Sequence, residues 1–511
     1  MTFLSRVSGL ARDMVISRGF GAGIETDAFF VAFKIPNMLR RFFSEGAFAQ
    51  AFVPVISEYR ATRSRAEAKE LIDRTAGSLA LVLVVITAIG VVAAPLLILI
   101  FAPGPGFSED GRAVLATDML RFTFPYILFI SLTALAGAVL NTYRRFAIPA
   151  FTPVLLNLVL IVFATAVAPL LERPALALAF GVFVAGAVQL AFQVPFLWKV
   201  KLLPRPRLGF AHPGVKRIQK LMVPILFGSS VAQLNLLIDM MIASFLVAGS
   251  YSWLYYSDRL VGFPLGVFGI ALATAILPSL SEQHARQSTE AFSATIDWAL
   301  RLVLLIGVPA AVGLMLLAQP LITTIFYGGE FTDRDTVMAT ASLLAFGPGL
   351  IGFILVKVLA PGYFSRQDTR TPVRIAIQAL VLNTALNIVF VLVLLTTQWA
   401  PAHAGLAAAT SISGLYNAAR LLSGLRRNGV YRPTAGWTAL FLPVTGACIV
   451  MTLFVMWVLA SIGDWYALGA WTRTGALAGC VIGAVIVYFA GCYLFGLRPP
   501  QFRGPTLIRQ G

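Results

Sequence analysis

The chain has 511 residues, is 58% hydrophobic and 12% charged, and has a mean hydropathy of +0.84, which excludes a soluble globular protein with its usual quarter of charged residues. A net charge of +17 without any aromatic-basic surface module points to basic loops beside a membrane, not to nucleic acid. Three cysteines with no CxxC pair exclude a disulfide framework, and three scattered histidines with neither zinc spacing nor HExxH exclude a zinc site.

Taking about 20 apolar residues as a membrane crossing, the chain reads as about fourteen spans. Their cores are 3–20, 27–56, 76–101, 114–142, 150–170, 175–198, 218–247, 252–280, 292–325, 336–363, 372–395, 404–424, 434–460 and 469–496. No cleavable leader is expected, because the first apolar segment runs into Asp27 without a small-residue cleavage site.

The loops alternate in charge. Basic loops lie at 58–74, 143–148, 199–217, 364–371, 425–432 and in the tail, with 281–291 weakly basic. Neutral or acidic loops lie at 21–26, 102–112, 248–251, 326–335, 396–403 and 461–466. Basic loops stay in the cytoplasm, so both termini are expected there. The outer loops are about ten residues or fewer, too short to carry a catalytic carboxylate pair or histidine, so the chain reads as a transporter and not an enzyme.

An internal repeat is visible. VPVISE at 53–58 returns as LPSLSE at 277–282, and TPVLLN at 152–157 as TPVRIA at 371–376. Six spans separate the copies, so both have the same orientation, as in transporters built from parallel repeats. The expected architecture is an all-α polytopic membrane protein. A six-helix lobe covers 1–200, a cytoplasmic linker 201–217 and a second six-helix lobe 218–432. Two additional helices follow at 433–497, and a cytoplasmic tail at 498–511.

The second span carries Asp27, Lys34, Asn37, Arg40, Arg41 and Glu45. At 100° per residue, Asp27, Lys34, Arg41 and Glu45 fall within roughly 40° of one another, with Asn37 beside that stripe and Arg40 off it. A charge at the bilayer centre costs about 2.5–3.5 kcal/mol, so the stripe must face protein or water. Either the charges pair off to hold helices together, or they line a water-filled cavity. The first span repeats the theme with Ser5, Arg6, Arg12 and Asp13, and the eighth with Ser252, Asp258 and Arg259. Asp13 and Asp258 are the expected supporting ion-pair partners. Five of these six cations are Arg, whose guanidinium forks fit phosphate oxygens bidentately and suit a lipophilic drug cation poorly.

Asp239 lies in the apolar run LNLLIDMMIASF and needs a partner. Asn383 and Asn387 share a face of the eleventh span, and Thr410 sits in the twelfth. Together they make a hard oxygen set that suits sodium. The alternative is a protonated Asp239, or one hydrogen-bonded to the Asn side chains without metal.

SRVSGLARD at 5–13, TDAFFVAFKIPNMLRRFFSEGAFAQAFVPV at 26–55, FPYILFISL at 124–132, YYSDRLVGFPLGVFGIALATAILPSLS at 255–281 and KVLAPGYFSRQDTRTPVRIA at 357–376 resemble the MviN/MurJ family of lipid II flippases. The resemblance runs to about residue 432 and is weaker beyond. It implies the multidrug/oligosaccharidyl-lipid/polysaccharide exporter fold: two six-helix lobes related by a pseudo-twofold axis around a central cavity, with two extra C-terminal helices. It implies movement of undecaprenyl-diphosphate carrying a disaccharide-pentapeptide to the outer leaflet of the bacterial inner membrane, among membrane lipids and the cell-wall synthesis machinery. The positions it places on the cavity are Ser5, Arg6, Arg12, Asp27, Lys34, Asn37, Arg40, Arg41, Glu45, Ser252 and Arg259. Some members hold a sodium between the helices that carry Asp239 and its companions here. A flippase for another polyprenyl-diphosphate-linked oligosaccharide, or a drug/cation antiporter of the same superfamily, remains the alternative.

Single cysteines at Ser108 and Ala402, in a cysteine-free background, should react with an impermeant thiol reagent from outside intact cells, and one at Ser64 only after lysis. External labelling at Ser64 would reverse the orientation.

Overall fold

The computed structural model describes residues 2–40 and 47–498, with side chains throughout except at 2–3, 47 and 224–232. The first ten helices are α1 (Thr2–Phe20), α2 (Ile24–Arg40), α3 (Ala47–Thr62), α4 (Arg65–Val92), α5 (Ala94–Phe101), α6 (Pro105–Glu109), α7 (Arg112–Thr123), α8 (Tyr126–Thr142), α9 (Ala147–Val162) and α10 (Leu176–Lys199). The next nine are α11 (Pro213–Ala243), α12 (Ser250–Pro264), α13 (Ile270–Ala285), α14 (Thr289–Leu316), α15 (Ala318–Ile325), α16 (Asp333–Phe346), α17 (Gly349–Phe364), α18 (Arg370–Thr397) and α19 (Ala402–Arg427). Helices α20 (Trp437–Ile462) and α21 (Ala470–Leu494) close the chain. Among the described residues the only extended pairing is the bridge between Gly328 and Phe331.

Nine stretches among the described residues are long and apolar enough to cross a membrane, or ten if the pair α16–α17, bent by 45°, is one span. Two other expected spans show why hydropathy undercounts. Helix α1 is interrupted by Arg6, Arg12, Asp13 and Arg18, and the span expected over 27–56 is described as α2 and α3, with 41–46 outside the described residues.

The helices begin where local chemistry allows. Ser64 and Glu67 form a reciprocal capping box at α4, and Thr332 and Asp335 form one at α16. His212 accepts from the Gly214 amide at 3.2 Å ahead of Pro213 at α11, where the missing proline N–H costs nothing. The three cysteines, Cys448, Cys480 and Cys492, are free and buried between α20 and α21, packing as small apolar residues.

The repeat runs through the whole helix order. Helices α14, α15 and α20 begin at one constant offset from α4, α5 and α11. Helices α13, α17 and α18 follow α3, α8 and α9 at an offset shorter by a single position. The two extra helices therefore occupy the register of α11 and α12, as the opening of a third copy.

Contacts divide the chain into two units: residues 1–252 with Gly328–Phe331, and residues 253–327 with 332–511. By repeat α11 opens the second lobe; by packing it belongs to the first unit, against α3. In the first unit Asp73 accepts from Lys69 and, at 2.7 Å, from the Arg205 amide, while its carbonyl accepts from the Arg207 amide at 3.0 Å. The linker is thereby tied to α4. Gly77 allows this approach, since a Cβ there would meet the Arg207 backbone at 2.3 Å.

The second unit carries the counterpart at the matching position of α14. Asp297 accepts from Tyr431 Oη at 2.8 Å, Thr434 Oγ1 at 2.5 Å, Trp437 Nε1 at 3.1 Å and Arg301 Nε at 2.8 Å. Burial, reinforced by the Asp297 carboxylate, pushes the Tyr431 phenol up, so it stays a donor at any working pH. This ties the start of α20 to α14. Asp297→Ala should lower the stability of the purified protein by roughly 1–3 kcal/mol, since it orphans the buried Tyr431 hydroxyl and removes the acceptor shared by Arg301, Thr434 and Trp437. Thermal unfolding in detergent would show it, and an unchanged midpoint would refute the anchoring role.

Candidate functional site

Helix α1 carries its charges inward. Arg12 is 5% exposed and Asp13 is fully buried. Arg12 donates to Asp13 Oδ1 through Nε at 2.9 Å and Nη2 at 2.5 Å, and to Asn157 Oδ1 through Nη1 at 3.1 Å. Asn157 on α9 donates in turn to Ser8 Oγ at 2.9 Å and the Ser5 carbonyl at 3.3 Å. A buried charge has to be paired and hydrogen-bonded, and this seam does both while fixing α1 on α9. Asn157 is a residue the sequence reading missed. It is the last residue of TPVLLN, so the repeated motif was its one signal.

Helix α2 begins on a second enclosed charge. The Asp27 carboxylate accepts from Ser252 Oγ at 2.7 Å, the Ser252 amide at 3.0 Å, the Gly249 amide at 2.8 Å and Arg112 Nη1 at 3.2 Å. It thus caps the N-terminus of α12, where orphan amides and the helix dipole favour an anion. Arg112 is 1% exposed. It also forms an ion pair with Asp110 at 2.7 Å, donates to the Leu246 carbonyl at 3.1 Å, and lies over the Phe107 ring. Asp27 and Ser252, expected among the substrate-facing residues, are bonded to each other and fully buried in this structure. Arg112 was missed as well; its signal was a lone cation in an otherwise acidic outer loop.

The remaining candidates are more open. Ser5, Arg6, Lys34, Asn37 and Arg40 are half-buried, and Arg40 Nε donates to Asn37 Oδ1 at 2.8 Å. In the second unit Asp258 and Arg259 are exposed, and Arg259 lies over the Tyr255 ring at 5.8 Å. Arg41 and Glu45 lie outside the described residues.

The four candidate sodium ligands are divided. Asp239 is in the first unit, where Asn235 donates to it at 3.2 Å. Asn383, Asn387 and Thr410 are in the second, where Asn383 Oδ1 accepts from Ser413 at 3.3 Å and Thr410 donates to the Leu406 carbonyl.

A family model described as lipid II flippase MurJ matches residues 16–476. The chain belongs to the MurJ family of lipid II flippases. It is 46% identical to a probable lipid II flippase MurJ of Vibrio cholerae serotype O1, over 99% of this chain and 96% of that one. It is 42% identical to the lipid II flippase MurJ of Burkholderia cenocepacia, over 98% and 97%. Among solved structures it is similar to a lipid II flippase MurJ in an inward closed conformation, at a TM-score of 0.79 and 26% identity over 97% of both chains. An inward-facing multidrug resistance MATE transporter of the MOP superfamily, at 16% identity and a TM-score of 0.65, shares the fold. The chain is thus a multi-pass flippase of the cytoplasmic membrane, a transporter and not an enzyme, as the second-span motif and the loop lengths indicated.

Arg112→Ala should cost about 3–5 kcal/mol, because it leaves Asp27 enclosed without its cation. The double variant Asp27→Asn/Arg112→Met should recover much of that loss. A double-mutant cycle on thermal unfolding measures the coupling, and strictly additive effects would break the pairing argument.

Proposed function

We propose that the flippase binds the diphosphate of lipid II on the more open cations, Arg6, Lys34 and Arg40 of the first unit and Arg259 of the second, together with Arg41. Ser5 and Asn37 add neutral hydrogen-bonding groups, and Glu45 balances part of the charge. The observation that carries this is the split between two classes of charge on the membrane helices. Arg12 and Arg112 are buried against carboxylates, whereas Arg6, Lys34 and Arg40 are half-buried and Arg259 is exposed, whatever their own partners.

A diphosphate cannot enter hydrocarbon unaided, since desolvating its charge is prohibitive. Guanidinium donors substitute for water around it, and the prenyl tail stays in lipid. Alternate opening to the two sides of the membrane, with both termini cytoplasmic, then carries the headgroup from the inner to the outer leaflet. A drug/cation antiporter would require the opposite cavity charge. Another polyprenyl-diphosphate-linked oligosaccharide would satisfy the same cations, so headgroup selectivity has to come from groups beyond the diphosphate.

Arg40→Ala and Arg259→Ala, at wild-type membrane levels, should each slow lipid II flipping roughly 10- to 100-fold, the worth of a charge-assisted hydrogen bond. Lys should substitute poorly wherever the contact is bidentate. Arg12→Ala should also lower thermal stability, because it opens the α1–α9 seam. Wild-type flipping by an Arg40/Arg259→Ala double variant in a leaflet-specific lipid II assay would overturn the assignment.

A further inference from the structure

Among the described residues the buried cations are Arg12, Arg112 and Arg473. The first two lie against carboxylates. Arg473, in the first turn of α21 and 8% exposed, has no carboxylate within ion-pair distance among the described residues. Its Nη1 donates to the Thr323 carbonyl at 3.3 Å, and its guanidinium lies over the Tyr327 ring at 5.1 Å. Its Nε is buried and meets no acceptor. The indole Nε1 of Trp465, a buried residue on the loop between α20 and α21, is a second buried donor in the same condition. All of these residues belong to the second unit.

What surrounds Arg473 answers only part of its charge. Thr323 lies in the last turn of α15, whose carbonyl end carries roughly half an elementary negative charge. The Tyr327 ring attracts the cation but gives Nε no acceptor. Tyr466 stands edge-on to Tyr327, with ring centroids 5.0 Å apart, and its amide donates to Asp464 Oδ1 at 2.8 Å. Between Gly463 and Gly469 Trp465 is the one buried residue. The loop can therefore shift to admit a ligand beside Arg473 while Trp465 anchors it.

The ligand that fits is an oxyanion. A buried donor without an acceptor calls for a partner from outside the chain. The Nε–Nη fork of a guanidinium matches two oxygens of a phosphoryl group. Neighbouring charges limit the charge of that ligand. Asp333 lies by the Tyr327 hydroxyl, Asp464 is exposed on the loop, and Arg334 is turned to the Trp253 ring. One guanidinium beside carboxylates suits a single negative charge, as on a phosphodiester, and suits a diphosphate poorly. Depth names the source. Arg473 lies about 5 Å along α21 from the loop, at one helical turn. Trp471 beside it is exposed, and such amphipathic rings mark the headgroup level of a membrane. The loops 326–335 and 461–466 belong to the neutral or acidic set, which the charge rule puts outside.

We propose that Arg473, framed by Tyr327 and Tyr466, binds the phosphodiester of an outer-leaflet phospholipid, at a site separate from the cations assigned to lipid II. The bound phosphate bridges the start of α21 and the end of α15, so a lipid adds to the packing that holds the last helix in place. The site stands whichever residues hold the lipid II headgroup.

The test uses the full-length protein, delipidated in detergent. Dioctanoyl-phosphatidylglycerol should raise the midpoint of thermal unfolding, because it binds the folded chain. Dioctanoylglycerol, with the same chains and no phosphate, should not, and neither should inorganic phosphate. Arg473→Gln should weaken the apparent phospholipid affinity at least about tenfold, as loss of a charge-assisted hydrogen bond does. Lys199→Gln/Lys201→Gln, on a basic loop, should leave that affinity unchanged, and so should Arg40→Ala/Arg259→Ala. An undiminished affinity in Arg473→Gln, or an equal shift with inorganic phosphate, overturns the proposal; loss of the shift in Arg40→Ala/Arg259→Ala overturns the separateness of the site. A second measurement keeps Arg473 in place. With Cys448, Cys480 and Cys492 changed to Ala and the exposed Ala467 changed to Cys, dioctanoyl-phosphatidylglycerol should slow maleimide labelling relative to dioctanoylglycerol. Equal labelling rates in the two lipids overturn the proposal even where Arg473→Gln fails to fold.

Discussion

A charge enclosed within membrane helices has no water to turn to, and the Asp27–Arg112 pair shows how the chain answers that constraint. Asp27 receives two backbone amides, a hydroxyl and a guanidinium, and Arg112 reaches a second carboxylate and a carbonyl. Both charges of the cluster thus have an opposite charge beside them. The start of α2, the start of α7 and the turn into α12 are thereby held at one point, and α12 then crosses from the first unit into the second at Ser252 and Trp253. The same requirement explains Arg12, which is closed off by Asp13 and Asn157. Cations buried and paired in this way build the frame.

The repeat explains why the frame has matched parts. Asp73 ties the linker to α4, and Asp297, its counterpart in the second copy, ties the entry of α20 to α14. The chemistry differs, because Gly77 lets the Arg207 backbone come close in the first copy, whereas Arg301 with its Trp437 contact fills that space in the second. The position is kept while the contacts are reworked. The helices α20 and α21, which looked like an appendage, continue this register, which accounts for α20 resting on α14 as α11 rests on α3 and α4.

Much of this was legible in the residues alone. Apolar runs, alternating loop charge and the VPVISE and LPSLSE copies were enough for a polytopic, repeated, all-helical transporter, because hydrophobic length and loop charge act locally along the chain. The second-span motif was enough for the family. The partnership of Asp13 with a cation was also readable, since a carboxylate inside membrane helices needs one. What the residues alone could not decide was which charges face inward to protein and which face a ligand. Asp27 and Lys34 lie on one stripe by periodicity, yet Asp27 is closed off by Arg112, 85 positions away, and by Ser252, 225 positions away. The contacts of Asn157 and Arg112 came only from the tertiary structure. A buried pair or a backbone seat is defined by what stands opposite, and helical periodicity gives a side chain's direction without saying what lies there.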